Sequence, residues 1–356
     1  MNVSIRKFIS HPLARNSSIV FVGSVFTNLF AYLYHLAVGR ILGPVQYGEL
    51  TVLLSLFFVF NVPAQVLQTV LIKYFSVLYA RGVVGQAKSL FLSVSKKLFL
   101  LSIIGFGLYM FALPALSDFF HITSYTFFIW LYVIFIFYLL TIVSSSLLSG
   151  FQMFTTATVY TNISMVLRLV LGVPAAYLGV GWTLFANGFS NMVSFVLYIF
   201  PIGFAMRTRA SAVEISKRAI ASYSMPTFLA TLGMTGMYTF DVILAKHFFS
   251  AYDAGIYASV SVLGKIIFFA TSSVGVVLFP VVSARKEQKE RIDHLVVFAL
   301  ATVSVISSLF VISYFLFPKF IIDLLFGSDY YEAIPYVGYY GIFIALVSIS
   351  TLLVNA

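Results

Sequence analysis

The stretch SYTFFIWLYVIFIFYLLTIVSSSLLS, residues 124–149, carries no charged side chain. A helix rises about 1.5 Å per residue, so a run of this length crosses a hydrocarbon core of roughly 30 Å. Working outward, nine further apolar runs of comparable length appear: 18–38, 47–72, 94–116, 157–178, 181–204, 222–245, 255–281, 295–317 and 334–354. The first is too long for a cleaved signal peptide and lacks a small-residue cleavage pattern. The expected fold is therefore all-α: a polytopic transmembrane helical bundle of about ten spans.

Composition agrees. Of the 356 residues, 61% are hydrophobic and 9% charged, whereas a soluble chain has roughly a quarter charged. No soluble core hides that much apolar sequence, so lipid solvates much of the surface. The 39 Phe and 22 Tyr suit lipid-facing and interfacial positions. Cysteine is absent, which excludes thiol chemistry, disulfides and thiolate-bound metals. The five His are scattered without ligand spacing, so no metal site is expected.

The net charge of +10 is distributed as a topology signal rather than as a nucleic-acid surface. Sixteen of the 21 Lys and Arg fall before span 1 or in every second loop, at 73–97, 207–218 and 285–291. Arg40, Lys246 and Lys319 fall on the other side, and Arg168 and Lys265 lie inside spans. By the positive-inside rule the N-terminus is cytoplasmic and the location is the cytoplasmic membrane. No nucleic-acid partner is expected.

An internal echo divides the chain. Tyr47-Gly48-Glu49-Leu50 aligns with Ala254-Gly255-Ile256-Tyr257, about 207 residues apart, each turn preceding an even-numbered span. This implies two pseudo-repeat lobes around a central cavity, six spans in 1–204 and four in 222–356. Residues 205–221 form a cytoplasmic linker, read either as an amphipathic surface helix or as a plain connection. Parallel six-span halves with a substrate path between them are a transporter architecture.

Polar stripes run along several spans. Asn28 and His35 share a face of span 1 with Ser17 and Ser24. Asn61, Gln65 and Gln68 line span 2 around Pro63, which should kink that helix. Span 4 carries Thr141, Ser144, Ser145 and Ser149, and span 6 carries Asn187, Ser190, Asn191 and Ser194. Interhelical hydrogen bonding accounts for the Ser and Thr. The amides point to a shared hydrated cavity.

Three charges lie deep. Arg168 shares a face with Thr161, Ser164, Gly172 and Ala175, and no acidic residue lies in a neighbouring span. Lys265 shares one with Ala258, Ser261, Ser272 and Gly275, and Asp241 continues a stripe of Thr227, Thr231, Thr235 and Tyr238. Asp241 and Lys265 read either as a structural ion pair or as cavity charges. Arg168 reads as a cavity cation for an anionic substrate. Glu49, Glu332, Asp118, Asp253, Asp323 and Asp329 sit near span ends and are expected to be solvated.

No catalytic triad, paired-carboxylate motif, phosphate loop or HExxH is present, and no cofactor motif. The loops are too short and too sparsely acidic for surface chemistry, so an enzyme is not expected.

AVGRILGPVQYGELTVLLSL (37–56) resembles the first loop and second span of the Wzx-like polysaccharide and O-antigen flippases. These belong to the multidrug/oligosaccharidyl-lipid/polysaccharide exporter superfamily. DVILAKHFFSAYDAGIYASVSVLGKIIFF (241–269), followed by LFPVVSARK (278–286), is similar to that family's seventh and eighth spans. LLFGSDYYEAIPYVGYYGI (324–342) resembles the loop before its tenth span. The resemblance covers nearly the whole chain and implies a carrier of two bundles around a V-shaped cavity. It would move a polyprenyl-diphosphate-linked sugar or oligosaccharide outward by alternating access, with basic cavity residues holding the diphosphate. That role maps onto Arg168 and Lys265. The resemblance implies a lipid-linked sugar substrate and a coupling ion, H+ or Na+, and a monomer is expected. Family members usually carry more than ten spans, and this chain ends at Asn355-Ala356, just after the tenth. Either it is a fragment or its second bundle is shortened. The runner-up is a cation-coupled multidrug exporter of the same superfamily, which would favour an acidic cavity. A membrane enzyme of polysaccharide assembly and a dry-packed assembly subunit are the remaining alternatives.

Overall fold

A computed structural model describes the backbone of residues 12–211, 217–287 and 293–355, and side chains over 19–211, 224–271, 274 and 295–353. Among the described residues every regular element is helical. The middle of the linker, 212–216, lies outside the described residues, so its reading as a surface helix does too. The same holds for the side chains of Ser17, Ser272, Gly275 and the basic residues at 285–291.

The helices are α1 (Pro12–Phe60), α2 (Val62–Ala80), α3 (Val84–Phe120), α4 (Tyr125–Gly150), α5 (Phe154–Ala176), α6 (Val180–Met206), α7 (Lys217–Met237), α8 (Phe240–Phe248), α9 (Ala251–Glu287), α10 (Asp293–Leu316), α11 (Pro318–Leu325) and α12 (Ile334–Asn355). A 3-10 turn over Ser328–Ala333 precedes α12.

Two interruptions explain the span count. Inside α1, Gly43 adopts φ 71° and ψ 172°, which ends one helix and starts another. Nothing lies within 4 Å of a Cβ built there, so the glycine answers a backbone requirement, not a steric one. Pro44 follows as the first residue of the new helix, where its missing N–H costs nothing. The second interruption is a 51° bend between α7 and α8. Eight described helices are long and apolar enough to cross a membrane, nine if the bent pair is one span. One of these, Ile19–Phe60, contains the Gly43 break, where the sequence reading of about ten spans begins its second span.

The expected kink at Pro63 is a helix junction. α1 ends at Phe60 and α2 begins at Val62, because a proline at the second position cannot donate to the preceding turn. Hydrogen bonding carries across on both sides, with Asn61 N donating to the Phe57 carbonyl and Gln65 N to the Asn61 carbonyl, each at 2.9 Å.

The chain groups into two compact units, Glu49–His247 and Met1–Gly48 with Phe248–Ala356. In the first, α4 packs along α6, α2 and α3, and α6 along α5. One end of this unit has a dense apolar core of Leu71, Phe75, Val143, Leu147, Phe151 and Ile202. Gly150 lets α4 approach α2 there: a Cβ on it would collide with Phe75. In the second unit, α12 packs on α9 and α10, and Ala299, Val303 and Leu352 form a small core.

Candidate functional site

Within the Glu49–His247 unit, the polar stripe of α5 meets that of α6. The Thr161 and Tyr198 hydroxyls lie 2.9 Å apart, and both reach the Ala157 carbonyl. One turn on, the Ser194 hydroxyl meets that of Ser164. These pairs close the α5–α6 seam, so interhelical bonding accounts for Thr161 and Ser164. Arg168 continues the same face three to four residues on and is half-buried.

On α6 the amides bond their own helix. Asn187 Nδ2 donates to the Thr183 carbonyl and Asn191 Nδ2 to the Asn187 carbonyl, each at 2.9 Å. This back-bonding satisfies donors in a low-dielectric setting. Asn187 is buried and Asn191 half-buried. Across α2 and α4, Gln68 Nε2 donates to Ser145 Oγ at 3.3 Å. Gln65 is half-buried. Asn61 is buried at the α1–α2 junction, and its Oδ1 has no hydrogen-bond partner among the described residues. α4 packs against both α2 and α6 and so lies between the two amide-bearing helices.

Asp241 lies in the first turn of α8, just past the bend that follows Met237, and is half-buried. Thr235 and Thr239 flank that bend and are both buried. Broken helices of this kind leave backbone groups available at membrane depth.

One ionic relationship escaped the sequence. Lys246, counted there with the outer residues, is only 3% exposed, and its ammonium interacts electrostatically with the half-buried Glu49 carboxylate. The expectation that Glu49 is simply solvated is therefore corrected: the fold brings it to a buried cation. The other span-end carboxylates Asp118, Asp253, Asp323, Asp329 and Glu332 are exposed, as expected. No signal in the sequence links Glu49 to a lysine almost two hundred positions away.

In the other unit, Lys265 is half-buried on α9. Around it the face is well packed: Ser261 Oγ and Tyr340 Oη lie 3.1 Å apart, Tyr314 Oη donates to the Leu263 carbonyl at 2.8 Å, and Gly264 admits the Tyr340 ring. From α1, the Tyr32 ring meets Phe269, one turn beyond Lys265, edge-on at 6.2 Å. The Tyr32 hydroxyl is buried with no hydrogen-bond partner among the described residues. Asn28 is half-buried one turn earlier on the same helix. His35 Nδ1 lies 3.3 Å from Tyr47 Oη, in an aromatic cluster with Tyr34, Tyr330 and Phe326. Tyr330 Oη donates to the Gly39 carbonyl at 2.7 Å, so this cluster ties the end of the first span to the turn before α12.

The family described as "Polysaccharide biosynthesis protein" matches residues 36–335. No curated protein matches the sequence. Among solved structures, the fold is similar to that of a multidrug resistance MATE family transporter of the MOP superfamily in its outward-facing conformation. The TM-score is 0.65 at 16% identity, over 100% of this chain and 84% of that one. The inward-facing conformation gives 0.65 at 15% identity, over 93% and 79%. The lipid II flippase MurJ in its inward closed conformation gives 0.63 at 13% identity, over 96% and 74%. With the sequence match spanning most of the chain, this protein belongs to the polysaccharide biosynthesis protein family and has the all-helical fold of the MOP superfamily transporters.

Proposed function

We propose that this protein is a flippase that moves a polyprenyl-diphosphate-linked sugar or oligosaccharide across the cytoplasmic membrane by alternating access. The observation that carries the reading is Arg168, a half-buried guanidinium on a span whose neighbouring polar groups are consumed in the α5–α6 seam. A cation at such depth is costly and marks a substrate or ion pathway. Guanidinium pairs bidentately with phosphate oxygens, and low dielectric strengthens the pairing. Membership of a polysaccharide biosynthesis family and the fold shared with a lipid II flippase support a lipid-linked sugar as the cargo.

In this reading Arg168 and Lys265 hold the diphosphate, and Asn28, His35, Asn61, Gln65, Asn187 and Asn191 offer hydrogen bonds to the sugar. Asp241 neutralises cargo or coupling-ion charge, with H+ or Na+ as the ion. The repeat divides the carrier into a six-span lobe over 1–204 and a second lobe over 222–356, joined by the linker at 205–221. The carrier works as a monomer with its N-terminus in the cytoplasm. The test is export in cells that depend on this protein for surface polysaccharide. Arg168→Ala and Lys265→Ala are each expected to abolish it with the protein still in the membrane. Full export by both would sink the assignment of the diphosphate ligands.

A second reading, a cation-coupled multidrug exporter, is favoured by Asp241 beside the broken helix and by the likeness to multidrug transporters. Efflux of a cationic dye that is lost in Asp241→Asn and kept in Arg168→Ala would select it.

A further inference from the structure

The short helix α11 joins two spans and has three distinct faces. Ile322 points into the protein and is fully buried, as is Phe326 one turn on. On the opposite side Phe317, Phe320 and Leu324 follow at steps of three and four and are 59, 65 and 58% exposed. Lys319 and Asp323 occupy one flank. Among the described helices, none separates its apolar and polar sides so sharply.

The polar flank is already organised. Tyr331 Oη donates to Asp323 Oδ1 at 2.9 Å, and Lys319 Nζ stands 5.4 Å over the Tyr331 ring. Arg40 Nη1 donates to the Leu324 carbonyl at 3.4 Å, which anchors the end of α11 to the end of the first span. The apolar face, by contrast, is largely exposed and continues directly from the exposed Phe315 and Leu316 at the end of α10. Because α10 and α12 are each long and apolar enough to cross a membrane, α11 begins where one span leaves the hydrocarbon. A helix with an apolar face, a charged flank and that position suits the boundary between headgroups and acyl chains.

We propose that α11 is a lipid-binding interfacial helix. It lies in the plane of the leaflet on the Arg40 side, with Phe317, Phe320 and Leu324 inserted among acyl chains. Lys319 and Asp323 remain at headgroup level. The helix thereby sets the depth of the unit that carries α9, α10 and α12. This inference rests on the membrane-spanning fold and is independent of the cargo.

The chain has no cysteine, so single-cysteine variants need no background substitutions. Phe320→Cys, Leu324→Cys, Lys319→Cys and Asp323→Cys are spin-labelled and reconstituted in bilayers of phosphatidylethanolamine and phosphatidylglycerol. Leu346→Cys on α12 supplies a mid-span reference. Collision with oxygen and with a neutral nickel chelate is then measured by power saturation. Labels at 320 and 324 are expected to show a several-fold higher oxygen-to-nickel ratio than labels at 319 and 323, at a depth of ~5–10 Å below the phosphates. Equal, nickel-dominated access at all four positions would place α11 in water and overturn the proposal. Low access to both reagents at 320 and 324, with immobilised spectra, would mean a protein contact instead and would overturn it equally.

Discussion

Gly48 and Gly255 cross backbone to backbone. A Cβ on Gly48 would stand 2.9 Å from Gly255 Cα, and one on Gly255 would collide with the Pro44 carbonyl oxygen. The two glycines are also the positions that the internal echo of the sequence pairs. With backbones this close, only glycine permits the spacing.

Gly255→Ala should therefore be severe. The obstructing atoms belong to the Pro44 backbone and cannot rotate aside, whereas at Gly39 a new methyl would meet the Phe326 ring. Overpacking a fixed contact costs about 1–3 kcal/mol or more. Gly107→Ala is the control, because nothing lies within 4 Å of its Cβ position. It is expected to be neutral or stabilising by about 0.5–1 kcal/mol, as a helical alanine usually is relative to glycine. Thermal denaturation in detergent, followed by size-exclusion fluorescence, ranks the two. Equal melting temperatures would contradict the crossing.

Lys88 tests a second joint. Its ammonium donates to the Met206 carbonyl at 2.6 Å and to the Thr208 carbonyl at 2.9 Å, capping the end of α6 from the start of α3. Ser211 N adds a bond to the Gly85 carbonyl at 3.2 Å. Lys88→Met keeps the aliphatic stem but strips both charge-assisted bonds, with an expected loss of about 1–3 kcal/mol. Hydrogen exchange over 205–211 should rise while exchange in α5 stays unchanged.

The Glu49–Lys246 pair makes an asymmetric prediction. Glu49→Gln leaves the buried Lys246 without the carboxylate that interacts with it, so stability should fall. Lys246→Met leaves a carboxylate that water partly reaches, so the loss should be smaller. Combining the two should restore stability relative to Glu49→Gln alone. A double-mutant cycle by thermal unfolding measures this, and strict additivity would mean that the two charges do not interact.

These cases show where the sequence was legible. The spans were, because twenty apolar residues in a row have few other homes than lipid. The Gly43 break falls in the gap between the runs 18–38 and 47–72, and the echo named Gly48 and Gly255 without revealing that they touch. Sequence periodicity places Thr161, Ser164 and Arg168 on one face but cannot say how that face is used. The fold gives its first two turns to Tyr198 and Ser194. Glu49 and Lys246 were read as span-end charges because hydropathy windows report average polarity, not the neighbour a tertiary fold supplies. The aromatic clasp around His35 was hidden for the same reason: Phe326 and Tyr330 arrive from almost three hundred residues away.

The division of labour along α5 yields the last prediction. Thr161→Val and Ser164→Ala remove bonds that close the α5–α6 seam, so they should lower stability by about 0.5–1.5 kcal/mol each. Transport per folded molecule should remain close to normal. Arg168→Ala should do the reverse, leaving the melting temperature nearly unchanged while export falls. Arg168→Lys keeps the charge but loses the planar pair of donors, so it should recover only part of the export. Binding of a polyprenyl-diphosphate sugar to purified protein, measured beside the melting curves, separates the two effects. If Arg168→Ala instead melts early and binds normally, the guanidinium belongs to the seam with Thr161 and Ser164, and the diphosphate must be held elsewhere.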